Sequence, residues 1–135
     1  FEASPQLAHL WLVPNPAHNL GGDFGLSAEG LALNLPKLAS TTAHDAAHSK
    51  IVTAAPADQL PRYTFSTIAL YKRAFFEAAW CGIPAGNPAG VKAPLAAMLR
   101  AAMDNHAVSA SLYTGAWTDV GTPERLAELN TNSAA

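Results

Sequence analysis

Asp119 is the carboxylate whose sequence neighbours best suit it to chemistry. It lies in residues 115–130, GAWTDVGTPERLAELN. Trp117 and Val120 are strand-type residues, so the stretch reads as a strand end, a tight turn and a helix start. Gly121 permits a backbone shape that other residues resist. Thr122 can cap a helix N-terminus, and Pro123 suits the first helical position. Glu124 then falls in the first turn, where the helix dipole favours a negative charge. Leu126 and Leu129, three apart, share a face. This pattern puts Asp119 at a strand-to-helix junction, where ligands gather in open α/β sheets. A plainer reading gives Asp119 to the turn itself, as a cap.

Other reactive side chains carry less. His44 and His48 bracket Asp45 with the i, i+4 spacing of a zinc-protease helix. Asp reaches less far than Glu toward a metal-bound water, and no third ligand follows, so a solvated insertion loop is the simpler reading. His9 sits inside an apolar run and reads as a hydrogen-bonded structural residue. His18, next to the Gly21-Gly22 loop, is a surface histidine that could face a ligand. His106 suits a helix end. Cys81 has no basic neighbour and reads as a small buried residue. No nucleophile elbow, dinucleotide fingerprint or P-loop occurs.

The elements that must position these groups follow from periodicity. Residues 8–13, AHLWLV, form a continuous apolar run of the kind found in central strands. The Pro14-Asn15-Pro16 segment ends it. Residues 23–35 predict a hairpin, with Phe24 and Leu26 on one arm, Leu31, Leu33 and Leu35 on the other, and Gly30 in the turn. Gly25 inside this pattern marks a bulge or a close approach to the backbone. Residues 36–62 are small and polar, as in an insertion, with a short helix near 44–50. Residues 63–71, YTFSTIALY, predict a strand. Residues 73–81 predict a helix with Phe76 and Trp80 on one face. Residues 93–104 give the clearest helix, with Leu95, Met98, Leu99, Ala102 and Met103 as its apolar face. Residues 108–114 give a further strand, and the tail after Asn130 frays.

Length and composition bound the class. The 135 residues suit one domain, and half of them are hydrophobic. A net charge of −2 with scattered Lys and Arg offers no field for nucleic acid and no polybasic membrane patch. No apolar run approaches the ~20 residues of a membrane span. The single cysteine excludes an internal disulfide and fits a reducing cytoplasm.

The residues WTDVGTPE at 117–124 resemble the W-x-D-x-G-T-P-E motif near the end of the sugar-1-phosphate nucleotidyltransferases. With Arg125-Leu126 following, they are most similar to the N-acetylmuramate α-1-phosphate uridylyltransferases. The resemblance implies that Asp119 holds a catalytic Mg²⁺. Asp23-Phe24-Gly25-Leu26 resembles the family's segment whose glycine backbone lies against the sugar. Residues 63–71, with Ser66 and Thr67, resemble the strand after the sugar loop, where the family usually has Gly at the position of Thr67. Lys92-Ala93-Pro94-Leu95, with Leu99-Arg100, resembles the segment before the late helix. Lys92 there meets either a phosphate or solvent. The family's Gly-rich L-x-A-G-x-G-x-R loop and its N-G-D segment do not occur here. The connection at 36–62 departs from the family's Glu-Lys segment for the sugar phosphate, leaving Lys37 and Lys50 as candidates by proximity.

The implied fold is α/β: the C-terminal portion of a Rossmann-like nucleotidyltransferase, with a mixed sheet flanked by helices. Residues 1–135 would be the sugar- and metal-binding part of one domain, with the nucleotide-binding part elsewhere. The implied reaction moves uridylyl from UTP to N-acetylmuramate α-1-phosphate and releases pyrophosphate, a step of cell-wall sugar recycling. Mannose or glucose 1-phosphate are alternative acceptors, and a non-catalytic domain of the same fold is another reading. Taken alone the chain would be inactive, and its partners would be a nucleoside triphosphate, a sugar 1-phosphate and the remaining N-terminal portion.

Overall fold

The computed structural model describes residues 1–35 and 60–132. The expected helix near 44–50, the His44/His48 pair, Lys37 and Lys50 lie outside the described residues. Five strands form one mixed sheet: β1 Ala8–Val13, β2 Phe24–Leu26, β3 Ala32–Leu33, β4 Arg62–Tyr71 and β5 Val108–Leu112. Their order is β3-β2-β4-β1-β5. Among the described residues only β1 and β5 run parallel; β4 is antiparallel to β1 and β2, and β2 to β3. The helices are α1 Leu95–Asp104 and α2 Pro123–Asn132. The α/β class and mixed sheet expected from the sequence are therefore present.

β1 is central, as its apolar run requires. Ala8, Leu10 and Leu12 point into the core with Val108 and Ala110 of β5. His9 and Trp11 point to the opposite face, because side chains alternate along a strand. There the His9 ring bonds Ser109 Oγ at 2.9 Å through Nδ1 and Ser111 Oγ at 3.2 Å through Nε2. This is the structural role expected of it. The hairpin β2-β3 turns back on the sheet, and its tip reaches β5, with Ala110 N donating to Gly30 O at 2.9 Å. The two ends of the sheet thus approach one another around the core.

α1 lays Met98, Leu99, Ala102 and Met103 on that core. Its end is a Schellman motif: His106 N donates to Met103 O and Ala107 N to Ala102 O, both at 2.9 Å, with His106 at φ 54°. His106 does end the helix, but through its backbone in the left-handed region.

Two expectations are corrected. Residues 73–81 do not form an α-helix; only a 3-10 turn, Arg73–Phe76, appears. In an α-helix the Phe75 carbonyl would take the amide of Ala79. Here it accepts the Trp80 indole N–H at 2.9 Å. Tyr71, Phe75, Phe76 and Trp80 cluster with ring centroids 5.1–5.9 Å apart. Burying Phe75 in that cluster wins over a short helix whose nucleation is costly. Second, Trp117 and Val120 are not in a strand, since β5 stops at Leu112 and the chain runs irregularly to α2.

Candidate functional site

β1 and β5 are parallel, so their C-terminal ends leave the sheet on the same side. β1 runs into residues 14–22, which present His18. β5 runs into residues 113–122, which present Asp119. The His18 loop is pinned to β4. Thr64 Oγ1 donates to Asn15 Oδ1 at 3.0 Å and accepts from Asn19 Nδ2 at 3.1 Å. Asn15 Nδ2 donates to the Leu20 and Arg62 carbonyls.

Asp119 Oδ1 accepts the Gly121 amide at 2.8 Å. Asp119 Oδ2 is paired with Arg125 and lies 3.5 Å from His18 Nε2. Gly121 is needed for room rather than for an unusual backbone angle: its φ is not positive, and a Cβ there would lie 2.9 Å from Asp119 Oδ1. Thr122 caps α2, its Oγ1 accepting from Arg125 N at 3.3 Å. The cap, the turn and the helix start expected around Asp119 are all present. The Gly121 amide first, then the Arg125 and His18 charges, hold the Asp119 carboxyl below the usual carboxylate range against an opposing effect of partial burial. Asp119 is thus an anion at neutral pH, at the mouth of a cleft of about 410 Å³ lined by His18, Trp117, Arg125 and Leu129 among others.

A second cleft, of about 310 Å³, lies beyond the same loop. Asn19 links the two regions, since it follows His18 and its Nδ2 donates to Asp23 Oδ1 at 3.1 Å. Asp23, Phe24, Phe65, Thr67, Leu99 and Arg100 line this cleft. Asp23 Oδ2 accepts the Phe65 amide at 2.9 Å, so the carboxylate ties the start of β2 to β4.

Thr67 sits in an irregularity of β4. Leu10 of β1 faces Ala69, yet Leu12 faces Phe65. One residue of β1, Trp11, therefore opposes three of β4, and the excess bulges around Ser66, Thr67 and Ile68. Ser66, 2 % exposed, closes the bulge by donating to Trp11 O at 2.7 Å and accepting the Ile68 amide at 3.2 Å. Thr67 takes φ 69°, a region a β-branched residue rarely enters.

Of the residues expected to meet substrate, Asp23 and Thr67 share the second cleft. Ser66 is committed to the bulge. Gly25 does meet a close approach, but from the protein: a Cβ there would lie 2.5 Å from Leu35 Cδ1. Lys92 is exposed and lines neither cleft. His18, Arg125 and Arg100 join the clefts; Arg125 and Arg100 belonged to stretches that carried the resemblance, but neither was given a role. Arg125 follows the WTDVGTPE stretch directly, and Arg100 stands eight residues after Lys92, so proximity to a recognised motif was the available signal.

No family model matches the chain. It is 34% identical over 128 residues to the N-acetylmuramate alpha-1-phosphate uridylyltransferase of Neisseria meningitidis serogroup B, a match covering 95% of this chain and 43% of that enzyme. The chain thus spans less than half the length of the curated relative. The similarity to that enzyme extends over nearly the whole chain, well beyond the residues 117–124 that anchor the resemblance.

Proposed function

We propose that the protein carrying this chain transfers uridylyl from UTP to N-acetylmuramate α-1-phosphate, and that this chain is the C-terminal, sugar- and metal-binding part of it. The observation that carries this reading is Asp119. It is an ionised carboxylate at the joint C-terminal end of two parallel strands, inside the motif that drew the resemblance. In such a transfer the sugar-phosphate oxygen attacks the α-phosphorus of the triphosphate, and pyrophosphate leaves. The nucleophile is already an anion, so the protein has little proton transfer to perform. Its work is positioning and charge neutralisation.

The donor set here fits Mg²⁺ in part. That ion takes one or two carboxylates and keeps several waters, and Asp119 offers one hard, ionised carboxylate. Among the described residues no group of three His, Cys, Asp or Glu could hold a metal. The reading takes a second carboxylate from the N-G-D segment of the resembled family, which this sequence does not contain. When bound, the ion would offset the negative charge of the phosphates. Arg125 and the Gly121 amide fix the direction in which the Asp119 carboxylate points. Asp23 and Thr67, across the Asn19 link, would border the sugar.

Asp119→Ala in the intact protein is expected to lower uridylyl transfer roughly 100-fold or more, with the far-UV circular dichroism unchanged. Near-normal turnover would sink the assignment of Asp119. No helix among the described residues is long and apolar enough to cross a membrane.

A further inference from the structure

Asp119 holds its partners unequally. Its Oδ1 accepts the Gly121 amide at 2.8 Å, a bond made within the turn itself. Its Oδ2 accepts from Arg125 Nη1, and His18 Nε2 stands 3.5 Å from the same oxygen. The Asp119–Arg125 pair is neither buried nor free in solvent, its two side chains being 33 % and 32 % exposed. Among the described residues Arg125 forms no other ion pair. A cation reaching Asp119 from the cleft that both residues line therefore meets an oxygen that already carries a counter-ion.

The place of Arg125 on its helix makes that counter-ion easy to release. α2 begins at Pro123, so Arg125 lies in the first turn, where the partial positive charge of the helix end disfavours a cation. Its amide is tied to the cap, donating to Thr122 Oγ1 at 3.3 Å, and Asp119 offsets the misplaced charge. Glu128, three residues on, shares the helix face and lines the same cleft. It offers a displaced guanidinium a second carboxylate, although no ion pair joins the two here. α2 adds no residue to the hydrophobic core, so letting go of Asp119 leaves the sheet and its packing intact.

We propose that Arg125 is an exchangeable counter-ion: it neutralises Asp119 before a divalent cation binds, gives up Oδ2 to that cation, and in leaving loosens α2. The inference rests on the reading of Asp119 as a metal ligand and deepens it, by giving Arg125 control over that ligand. A guanidinium and a metal ion compete for one carboxylate oxygen, and their like charges repel at contact range. The Gly121 amide stays on Oδ1, so the carboxylate keeps its direction through the exchange. The coupling is reciprocal. Whatever Arg125 contributes to holding Asp119 is subtracted from the affinity for the ion, and the ion in turn weakens the hold on α2.

The test titrates Mn²⁺, a paramagnetic substitute for Mg²⁺, into the intact protein and follows the free ion by electron paramagnetic resonance. Arg125→Gln should tighten binding roughly 3- to 10-fold, the scale of a partly exposed ion pair plus a removed like charge. Arg125→Lys, which keeps the charge, should stay near the unaltered protein. Asp119→Asn should weaken binding with or without Arg125. A second measurement needs no variant. On addition of Mg²⁺, hydrogen exchange of the unaltered protein should show the α2 amides losing protection while those of β1 keep theirs. Unchanged or weaker Mn²⁺ binding in Arg125→Gln, with Asp119→Asn still weakening it, overturns the exchange and leaves Asp119 as a metal ligand. Mn²⁺ binding indifferent to Asp119→Asn removes the metal reading of Asp119 and the exchange with it. Constant or rising α2 protection with Mg²⁺ also overturns the exchange.

Discussion

Thr67 carries the clearest strain at the scale of single residues. A left-handed conformation costs a residue with a Cβ about 1–2 kcal/mol, and branching at Cβ narrows its options further. The Ser66 bonds to Trp11 and Ile68 fix the bulge that imposes it. Thr67→Gly should therefore stabilise the fold. Glycine's added freedom in the unfolded chain removes ~0.5–1 kcal/mol of the gain. A net increase of up to about 1 kcal/mol in denaturant unfolding is expected; a loss of stability would mean that the Thr67 side chain contributes packing that outweighs its backbone strain. Glycine is also what the related enzymes were expected to carry here. The substitution was legible in the sequence, but its reason was not, because φ is set by how far β1 and β4 slip past one another. Ser66 shows the same limit. The resemblance put it on the strand after the sugar loop and so toward substrate, whereas the bulge turns its hydroxyl onto Trp11.

Among the elements, α1 and the 73–81 segment show when periodicity suffices. α1 has an apolar stripe with no competing partner for its backbone, and it forms where the stripe predicts. The 73–81 segment also has helical spacing, but its aromatic side chains find better contacts by breaking it. The Trp80 indole then takes a carbonyl the helix would need. Sequence spacing gives the stripe and is blind to that competition. Similarly, the residues around Trp117 have strand propensity, yet β5 ends at Leu112 and they join no strand of the sheet. The weight of α1 can be tested directly. Leu99 is wholly buried between helix and sheet, so Leu99→Ala should cost about 2–5 kcal/mol through lost burial and the cavity left behind. That is a large share of the ~5–15 kcal/mol that holds a domain together. Thermal unfolding of the variant should show it as a pronounced fall in Tm; a change of only a degree or two would mean that α1 is peripheral to the fold.

Viewed whole, the described chain has two levels of attachment. The sheet, the hairpin and α1 share one core. α2 contributes nothing to that core, and its Leu126 and Leu129 remain 48 % and 37 % exposed. Its links to the rest include the Asp119–Arg125 pair and the cleft it shares with His18. α2 should therefore open locally, well below the cost of global unfolding. Hydrogen exchange should show its amides at least roughly tenfold less protected than those of β1. Arg125→Ala should widen that gap by loosening α2 alone. Acid should do the same, with a sign fixed by Asp119. Its carboxyl is held below the usual range in the folded chain, so the unfolded form binds a proton first as pH falls. The contact is fully present above the ordinary carboxylate pKa and is lost as pH drops through the lowered folded value. α2 protection factors should thus decline only in acid, and Asp119→Asn should abolish that step. If α2 and β1 exchange alike, or Arg125→Ala loosens both equally, the helix belongs to the core after all. The distinction bears on the proposed site, since a carboxylate joined to a loosely held helix can move with that helix without disturbing the sheet that carries the cleft beside Asp23.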